Sequence, residues 1–507
     1  MGKGQRSRLA RADEMAAKKV AAKKKAKQEK ITRVISIVAA IVLVVAVAGM
    51  ITYTTIESTN RQSGTYLKND IALESANYTV TNAQQMYFFQ NYYSSFVSSN
   101  SDSLSYFGLD TSKSLKEQTC PYTTEDGKSM TWYEYFMDAT VAQVEQTMVL
   151  AEAAREAGVT LSEDDQKNIE STLSQVTPEN FAPGLTSDDV KACLEMAMLA
   201  ANYQTQVTDA IEYTDADIEK YYTDNKNNYD MVDYRMYSFN YADEEDKEDD
   251  GKTMTKAQAK AMAEELAATG TEEAFVAWLS DYFTNTLKIE ADRLEGELNN
   301  TKTVDFAYTE SYKGIDFLFG SDTAAGDIKV IDDESSSCYK VFMLLTPRHR
   351  DESTTKSVRH ILISVDNAED KDAKAAAKAK AEKLLADWKA GEATEDSFAA
   401  LVHDNTDDTG SKENGGLYEN FPRGQMVATF EDWAYDPARV TGDTGIVETE
   451  YGYHIMYFIG DGNIVWKGNA EADYVNAEYS EKYTEFAEKY TITVNQDKIE
   501  KIASYVA

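Results

Sequence analysis

Cysteine, histidine and proline are scarce in this 507-residue chain, at three, four and six residues. Cys120, Cys193 and Cys338 are odd in number and far apart, and no pair has ligand-like spacing. That argues against both a disulfide scaffold and a zinc module. So few prolines argue against long extended linkers. Basic residues are outnumbered as well, 51 Lys and Arg against 87 Asp and Glu, giving a net charge of −36. A general nucleic-acid binder needs cationic surface, so no nucleic-acid partner is expected. With 42% hydrophobic and 27% charged residues the composition is globular. The length suits about three domains.

The charge is placed unevenly. Residues 1–33 hold twelve Lys and Arg against three acids. Val34 to Ile51 then runs without a charge, and with Thr52 and Tyr53 it reaches the roughly 20 residues that span a bilayer. The sequence predicts a basic cytoplasmic tail (1–33), a transmembrane helix (34–53) and an acidic bulk displayed outside the cytoplasm. This places the protein in the cell membrane as a single-pass chain. A cleaved signal peptide fits less well: the apolar run is long, residues 44–58 hold no Cys for lipidation, and Ala46-Val47-Ala48 lies deep inside it.

Apolar stripes at helical spacing follow. Met86, Phe89, Tyr93 and Phe96 form one, and Trp132 to Ala157 carries the clearest, closed by Gly158. Ser162 to Asp165 reads as a capping box, and further helices start at Ser187 and Thr214. An all-helical module over 66–228 is expected. From Tyr229 the texture changes to an order that occurs twice: a strand, an acidic loop, an Ala-rich helix, then a Gly-Asp turn before a closing strand. Val232–Phe239 and Val358–Ser364 are the opening strands, and Tyr339–Val341 and Tyr453–Ile455 end the closing ones. Two related α+β modules are inferred, 229–347 and 355–462. The tail (463–507) reads as helical, with a short strand-like Thr491–Val494 between two helices.

The second module carries Arg359-His360-Ile361-Leu362, Leu384-Leu385, Ser397-Phe398-Ala399-Ala400-Leu401, Thr406-Asp407-Asp408, Gly415-Gly416-Leu417, Arg423-Gly424-Gln425-Met426, Phe430-Glu431, Gly442-Asp443 and Gly452-Tyr453-His454-Ile455. In combination these resemble the parvulin-type peptidyl-prolyl isomerases, over about a fifth of the chain. Anchor, helical module and this unit together look like the extracytoplasmic foldases of the PrsA and SurA type, although the lipoprotein cysteine typical of that arrangement is absent. The resemblance implies an α+β multidomain protein: one N-terminal transmembrane helix, a helical chaperone-like module, and two parvulin-like modules of a four-stranded antiparallel sheet with surrounding helices, the first degenerate.

Rotation about an X–Pro bond needs no cleavage and no cofactor, and none is expected. It needs a grip on the ring and preference for the twisted amide over the planar one. By resemblance the grip is Leu417, Met426 and Phe430. Met426 and Phe430 are four residues apart, so one helical turn can present both. His360 and His454 match the family's paired histidines, expected to hydrogen-bond each other and fix tautomers. Asp408, with Asp407 as the alternative, matches the family's catalytic cysteine or aspartate position, acting electrostatically on the amide or orienting the histidines. Thr449 completes the polar network. In the first module Met236 stands in place of His360 and Lys340 in place of His454, so that copy is expected to be silent. The loop carrying Asp366, Glu369, Asp370 and Asp372 would repel phosphate, which argues against phosphorylation-dependent substrates.

The expected function is that of a membrane-anchored isomerase and foldase. Its expected partners are unfolded or nascent secreted chains with X–Pro bonds, with a homodimer left open. The alternatives are a holdase without catalysis and a structural or adhesive surface protein using the modules as spacers.

Overall fold

The computed structural model describes residues 64–124, 126–242, 254–367 and 369–506. The basic tail and the expected transmembrane helix over 34–53 lie outside the described residues, as does the first acidic loop at 243–250. Among the described residues no helix is long and apolar enough to cross a membrane. These residues fall into two compact units, 64–213 with 473–506, and 214–472.

The first unit is built on three long helices, Asn82–Ser99, Trp132–Glu156 and Ser187–Asp209. Each opens with a reciprocal capping box, Thr81 with Gln84, Thr131 with Glu134, and Thr186 with Asp189. These satisfy amides that would otherwise lack partners at a helix start. The second helix ends in a Schellman arrangement. Gly158 turns left-handed at φ 76° while Val159 N–H donates to the Ala154 carbonyl at 2.9 Å. The predicted stripes meet in one core of Met86, Phe89, Phe96, Trp132, Phe136, Val144 and Met148.

The expectation of an all-helical module over 66–228 is corrected here. Strands β1 (Ile71–Glu74) and β2 (Thr79–Thr81) form a small sheet with Thr493–Val494, while β3 (Thr119–Thr123) and β4 (Ser129–Thr131) make a hairpin. Strands β1 to β4 are too short to show alternation in sequence, whereas Thr493–Val494 falls in the strand-like run expected of the tail. The third strand of this sheet comes from the far end of the chain, with Leu73 opposite Val494. That tail also sends Tyr479, Ile499 and Ile502 into the core.

The second unit holds two four-stranded antiparallel sheets. One is ordered β6-β5-β8-β7, from β5 (Asp230–Asn240), β6 (Lys302–Ala307), β7 (Ile328–Asp333) and β8 (Cys338–Arg350). The other is ordered β10-β9-β12-β11, from β9 (Thr354–Ser364), β10 (Leu417–Phe421), β11 (Thr444–Thr449) and β12 (Gly452–Ile464). Alternation along the central strands gives each sheet two apolar faces. In the second sheet, Ile361, Ile363 and Ile455 pack on the helices Lys371–Ala390 and Glu395–Asn405 through Ala377, Ala381, Phe398 and Val402. The other face, with Val358, Met456 and Phe458, meets Phe421, Phe430 and Ala434.

The two sheets agree in detail. Met236 lies opposite Phe342, and His360 opposite Met456. Met236 N–H donates to Thr301 O at 2.8 Å and His360 N–H to Gly416 O at 2.9 Å. Arg235 Nε reaches Glu272 at 2.9 Å, and Arg359 Nε reaches Glu395 at 3.0 Å. Asp305 and Asn420 are both left-handed, at φ 50° and 52°. Each amide donates to a side chain on the central strand, Asp233 or Ser357. At the hairpin ends the sheets diverge. The second pairs His454 with Thr449, whereas the first buries an ion pair of Lys340 with Asp333 at 2.9 Å.

Burial raises the Asp333 carboxyl, but the Lys340 ammonium and Ser335 hydroxyl more than offset this and leave it at about 2. Its folded value lies below the unfolded 3.8. The pair therefore stabilises the fold above pH 3.8, and that contribution is lost as pH falls toward 2. Lys340→Met leaves a buried carboxylate unpaired and is expected to cost about 3–5 kcal/mol. Adding Asp333→Asn should recover most of this. Hydrogen exchange of the β7–β8 amides at pH 7 reads both effects.

Candidate active site

His360 on β9 and His454 on β12 sit on adjacent antiparallel strands, with His454 opposite Leu362. They are diagonal neighbours on the face away from the two helices, close enough for side chains of this length to meet. The rings stack at 5.2 Å between centroids and 23° between planes, with Nδ1 to Nδ1 at 3.0 Å. Both are buried. His360 Nε2 lies 2.8 Å from Asp408 Oδ2, and His454 Nε2 lies 2.8 Å from Thr449 Oγ1. The four polar residues expected from sequence are thus brought together.

The order of donors follows from chemistry. An ionised carboxylate only accepts, so His360 Nε2–H donates to Asp408. With a neutral ring, His360 accepts at Nδ1, His454 donates from its own Nδ1, and Thr449 donates its hydroxyl to His454 Nε2. Tyr451 N–H closes the far end by donating to Thr449 Oγ1 at 3.2 Å. Burial drives the His454 pKa down to about 3, His360 beside it adds to the depression, and Asp408 partly opposes it. The hydrogen bond from His360 holds Asp408 well below the usual carboxylate range. Burial opposes this, and the Ser411 hydroxyl reinforces it.

The two aspartates do different work. Asp407 accepts from the Ser364 amide and hydroxyl, both at 2.9 Å, and ties the turn to the end of β9. Asp408 carries the network. Its Oδ1 accepts Gly410 N–H at 3.0 Å. Its Oδ2 accepts His360, the Ser411 hydroxyl and the Tyr418 hydroxyl, the last at 3.1 Å. With its lone pairs so engaged, the carboxylate is arranged to orient His360 rather than to face a substrate bare. Gly416 lets the turn close. A Cβ there would lie 2.2 Å from His360 O, so the loop could not approach β9 with any side chain at this position.

Phe430 is the apolar centre. Its ring stands edge-on to both imidazoles, with centroids 5.5 Å from His360 and 5.4 Å from His454. Met426 packs partly buried in the same cluster, but it is not on the helix that carries Phe430. That helix spans Ala428–Ala434, and Val427 is its cap residue. Met426 is held instead by a loop that Glu431 braces, accepting Gly424 N–H at 2.5 Å.

Leu417 is corrected. It lies opposite Arg359, on the face that Arg359 turns toward Glu395. The residue that meets the imidazoles at this edge is Tyr418, opposite Val358, with its ring 5.0 Å from His360 and 6.2 Å from Phe430. Sequence reasoning missed Tyr418 by one position, and in a strand one position means the opposite face. It also missed Ser411, whose signal was its place three residues after Asp408 in a tight turn.

Elsewhere, Asp233, Asp305 and His349 bring ligand-type atoms together. Both carboxylate oxygens of Asp233 already accept hydrogen bonds, from Asp305 N–H and the Thr346 hydroxyl.

Two outcomes are expected from this geometry. Asp408→Asn should disorder the imidazole chain while Asp407→Asn leaves it intact, as read by 15N resonances of the four histidines. His454 should show no titration between pH 5 and 8. Because its folded pKa lies below the unfolded 6.5, His454 stabilises the fold above pH 6.5. That contribution is lost as pH falls from 6.5 toward 3, a slope that His454→Gln should remove.

Residues 339–459 match the family model of the PPIC-type PPIase domain. Foldase protein PrsA of Caldanaerobacter subterraneus subsp. tengcongensis is 30% identical over 167 residues, covering 32% of this chain and 46% of that protein. Foldase protein PrsA 3 of Bacillus anthracis is 29% identical over 180 residues, covering 35% of this chain and 47% of that one. The chain thus spans about half the length of these curated relatives. The crystal structure of PrsA from Bacillus subtilis aligns over 74% of this chain and 93% of its own at 15% identity, with a TM-score of 0.30.

Proposed function

We propose, from a chain that carries a parvulin-type PPIC domain, that the protein is a peptidyl-prolyl cis/trans isomerase acting as a foldase on unfolded polypeptides. The arrangement of Phe430 edge-on to a hydrogen-bonded His360–His454 pair carries the reading. The barrier to rotation about the prolyl amide is about 18–20 kcal/mol because of resonance. Twisting the bond removes that resonance and leaves a more pyramidal nitrogen. A proline ring gripped at Phe430, Met426 and Tyr418 fixes one side of the bond while the acyl side turns. Every donor and acceptor in the imidazole chain has a partner within the protein, so His360 and His454 act by holding a shape and no proton passes to substrate. The family resemblance supports the isomerase reading, and the shared name of the relatives supports foldase.

The further elements of the proposal rest on sequence. Residues 34–53 tether the chain to the cell membrane, with 1–33 cytoplasmic and the remainder outside, where secreted chains emerge. Residues 64–213 with the tail hold such chains. The module over 229–347 is a silent copy of 355–462. Its shared ladder, shared Arg–Glu pair and shared left-handed residue support the kinship. Met236 and the Lys340–Asp333 pair, standing where the imidazole chain would be, support its silence. The acidic loop after β9 points to substrates without phosphate.

The test is isomerisation of a short X–Pro peptide by the full chain. Met426→Ala is expected to lower kcat/KM about tenfold, equivalent to about 1.4 kcal/mol. Phe430→Ala added to it should abolish turnover, although at a buried position it also costs about 3–5 kcal/mol of stability. Phe430→Leu is the gentler companion. Suppression of client aggregation should survive both changes. A wild-type rate no faster than buffer would leave a holdase, and absence of both activities would leave a spacer.

A further inference from the structure

We propose that Tyr418 is a positioning residue for prolyl isomerisation, acting through the hydroxyl it donates to Asp408; this rests on the isomerase reading above. The four donors to Asp408 come from two places. Gly410 N–H and the Ser411 hydroxyl belong to its own turn, so they set the shape of that turn. His360 and Tyr418 belong to β9 and β10, so they set how the carboxylate is aimed at the sheet. Tyr418 is therefore the donor that fixes the aim independently of the imidazole being aimed at. Its location suits the task. The ring packs against His360 and Phe430 on the pocket face and is only partly buried, while the hydroxyl reaches inward to the carboxylate.

An aliphatic side chain would serve equally well as an apolar wall for a proline ring. Only a phenol at this site also reaches Asp408. The wall and the polar chain are thus one residue, and a ring that shifts when substrate enters also moves a hydrogen bond to the carboxylate. Through His360 that bond bears on the donor order that runs to His454 and Thr449. Loss of the hydroxyl leaves Asp408 with a single donor from the sheet and frees the carboxylate to turn within its loop.

Tyr418→Phe keeps the ring and removes the hydroxyl, and Tyr418→Leu removes both. In the full chain, Tyr418→Phe is expected to lower kcat roughly three- to tenfold with KM changed by less than about twofold. Tyr418→Leu should lower kcat similarly and raise KM. The 15N resonances of the His360 and His454 rings should move in both variants, a signature that a mere wall contact would not give. A Phe variant with wild-type kcat and unmoved imidazole resonances would overturn the proposal, as would one that changes KM alone. If the wild-type chain proves inactive, the isomerase reading fails separately. The resonances then still decide whether the Tyr418 hydroxyl positions the chain.

Discussion

The candidate site depends on one ionised carboxylate. Asp408 can accept hydrogen bonds and cannot donate them, and that asymmetry sets the direction of its bond with His360, from which a neutral imidazole passes the order on to Thr449. His360 must point its Nε2–H at Asp408, which turns its Nδ1 into an acceptor. His454 must then donate, which leaves its own Nε2 to accept from Thr449. The deep burial that presses the His454 pKa down to about 3 keeps that imidazole neutral. The surroundings serve the same end. Asp407 pins the turn, Gly416 lets it come close, and Phe430 covers both rings.

The first sheet shows what the same frame becomes without that carboxylate. Its strands keep the order, the ladder and the Arg–Glu brace of the second. At the hairpin end, however, the polar pair is Lys340 with Asp333, a closed ion pair whose charges answer one another. Phe342 and the hydrogen-bonded Tyr234 and Tyr312 fill the corresponding face. An ion pair and an imidazole chain are alternative ways to satisfy buried polarity at one place in a fold. The first closes on itself, and the second sets two oriented imidazoles against the apolar cluster around Phe430.

Much of the site was legible because its chemistry is rare. Histidine is scarce here, and two of the four lie in strand-like runs at corresponding ends of one module, which marked them before any geometry was known. Thr449, Met426, Phe430 and the Asp407–Asp408 pair followed from the resemblance to the parvulin motifs. Leu417 and Tyr418 show the limit. Neighbours along a strand point to opposite faces, and only the ladder says which of them meets the pocket. The position of Met426 ahead of its helix was hidden for a related reason: four-residue spacing fits a helical turn equally well when the helix starts two residues later.

The long helices of the first unit were fixed locally, by capping residues and by apolar stripes at helical spacing. The twofold order of strand, helix and closing strand was local too, since each element carries its own periodicity. Tertiary structure alone decided what joins residues distant in sequence. Thr493–Val494 pair with Ile71–Glu74 across nearly the whole chain, and neither segment is long enough to announce its partner. The choice of Asp408 over Asp407 was of the same kind. Two adjacent carboxylates are indistinguishable as letters, and they part only when the turn aims one at the end of β9 and the other at His360.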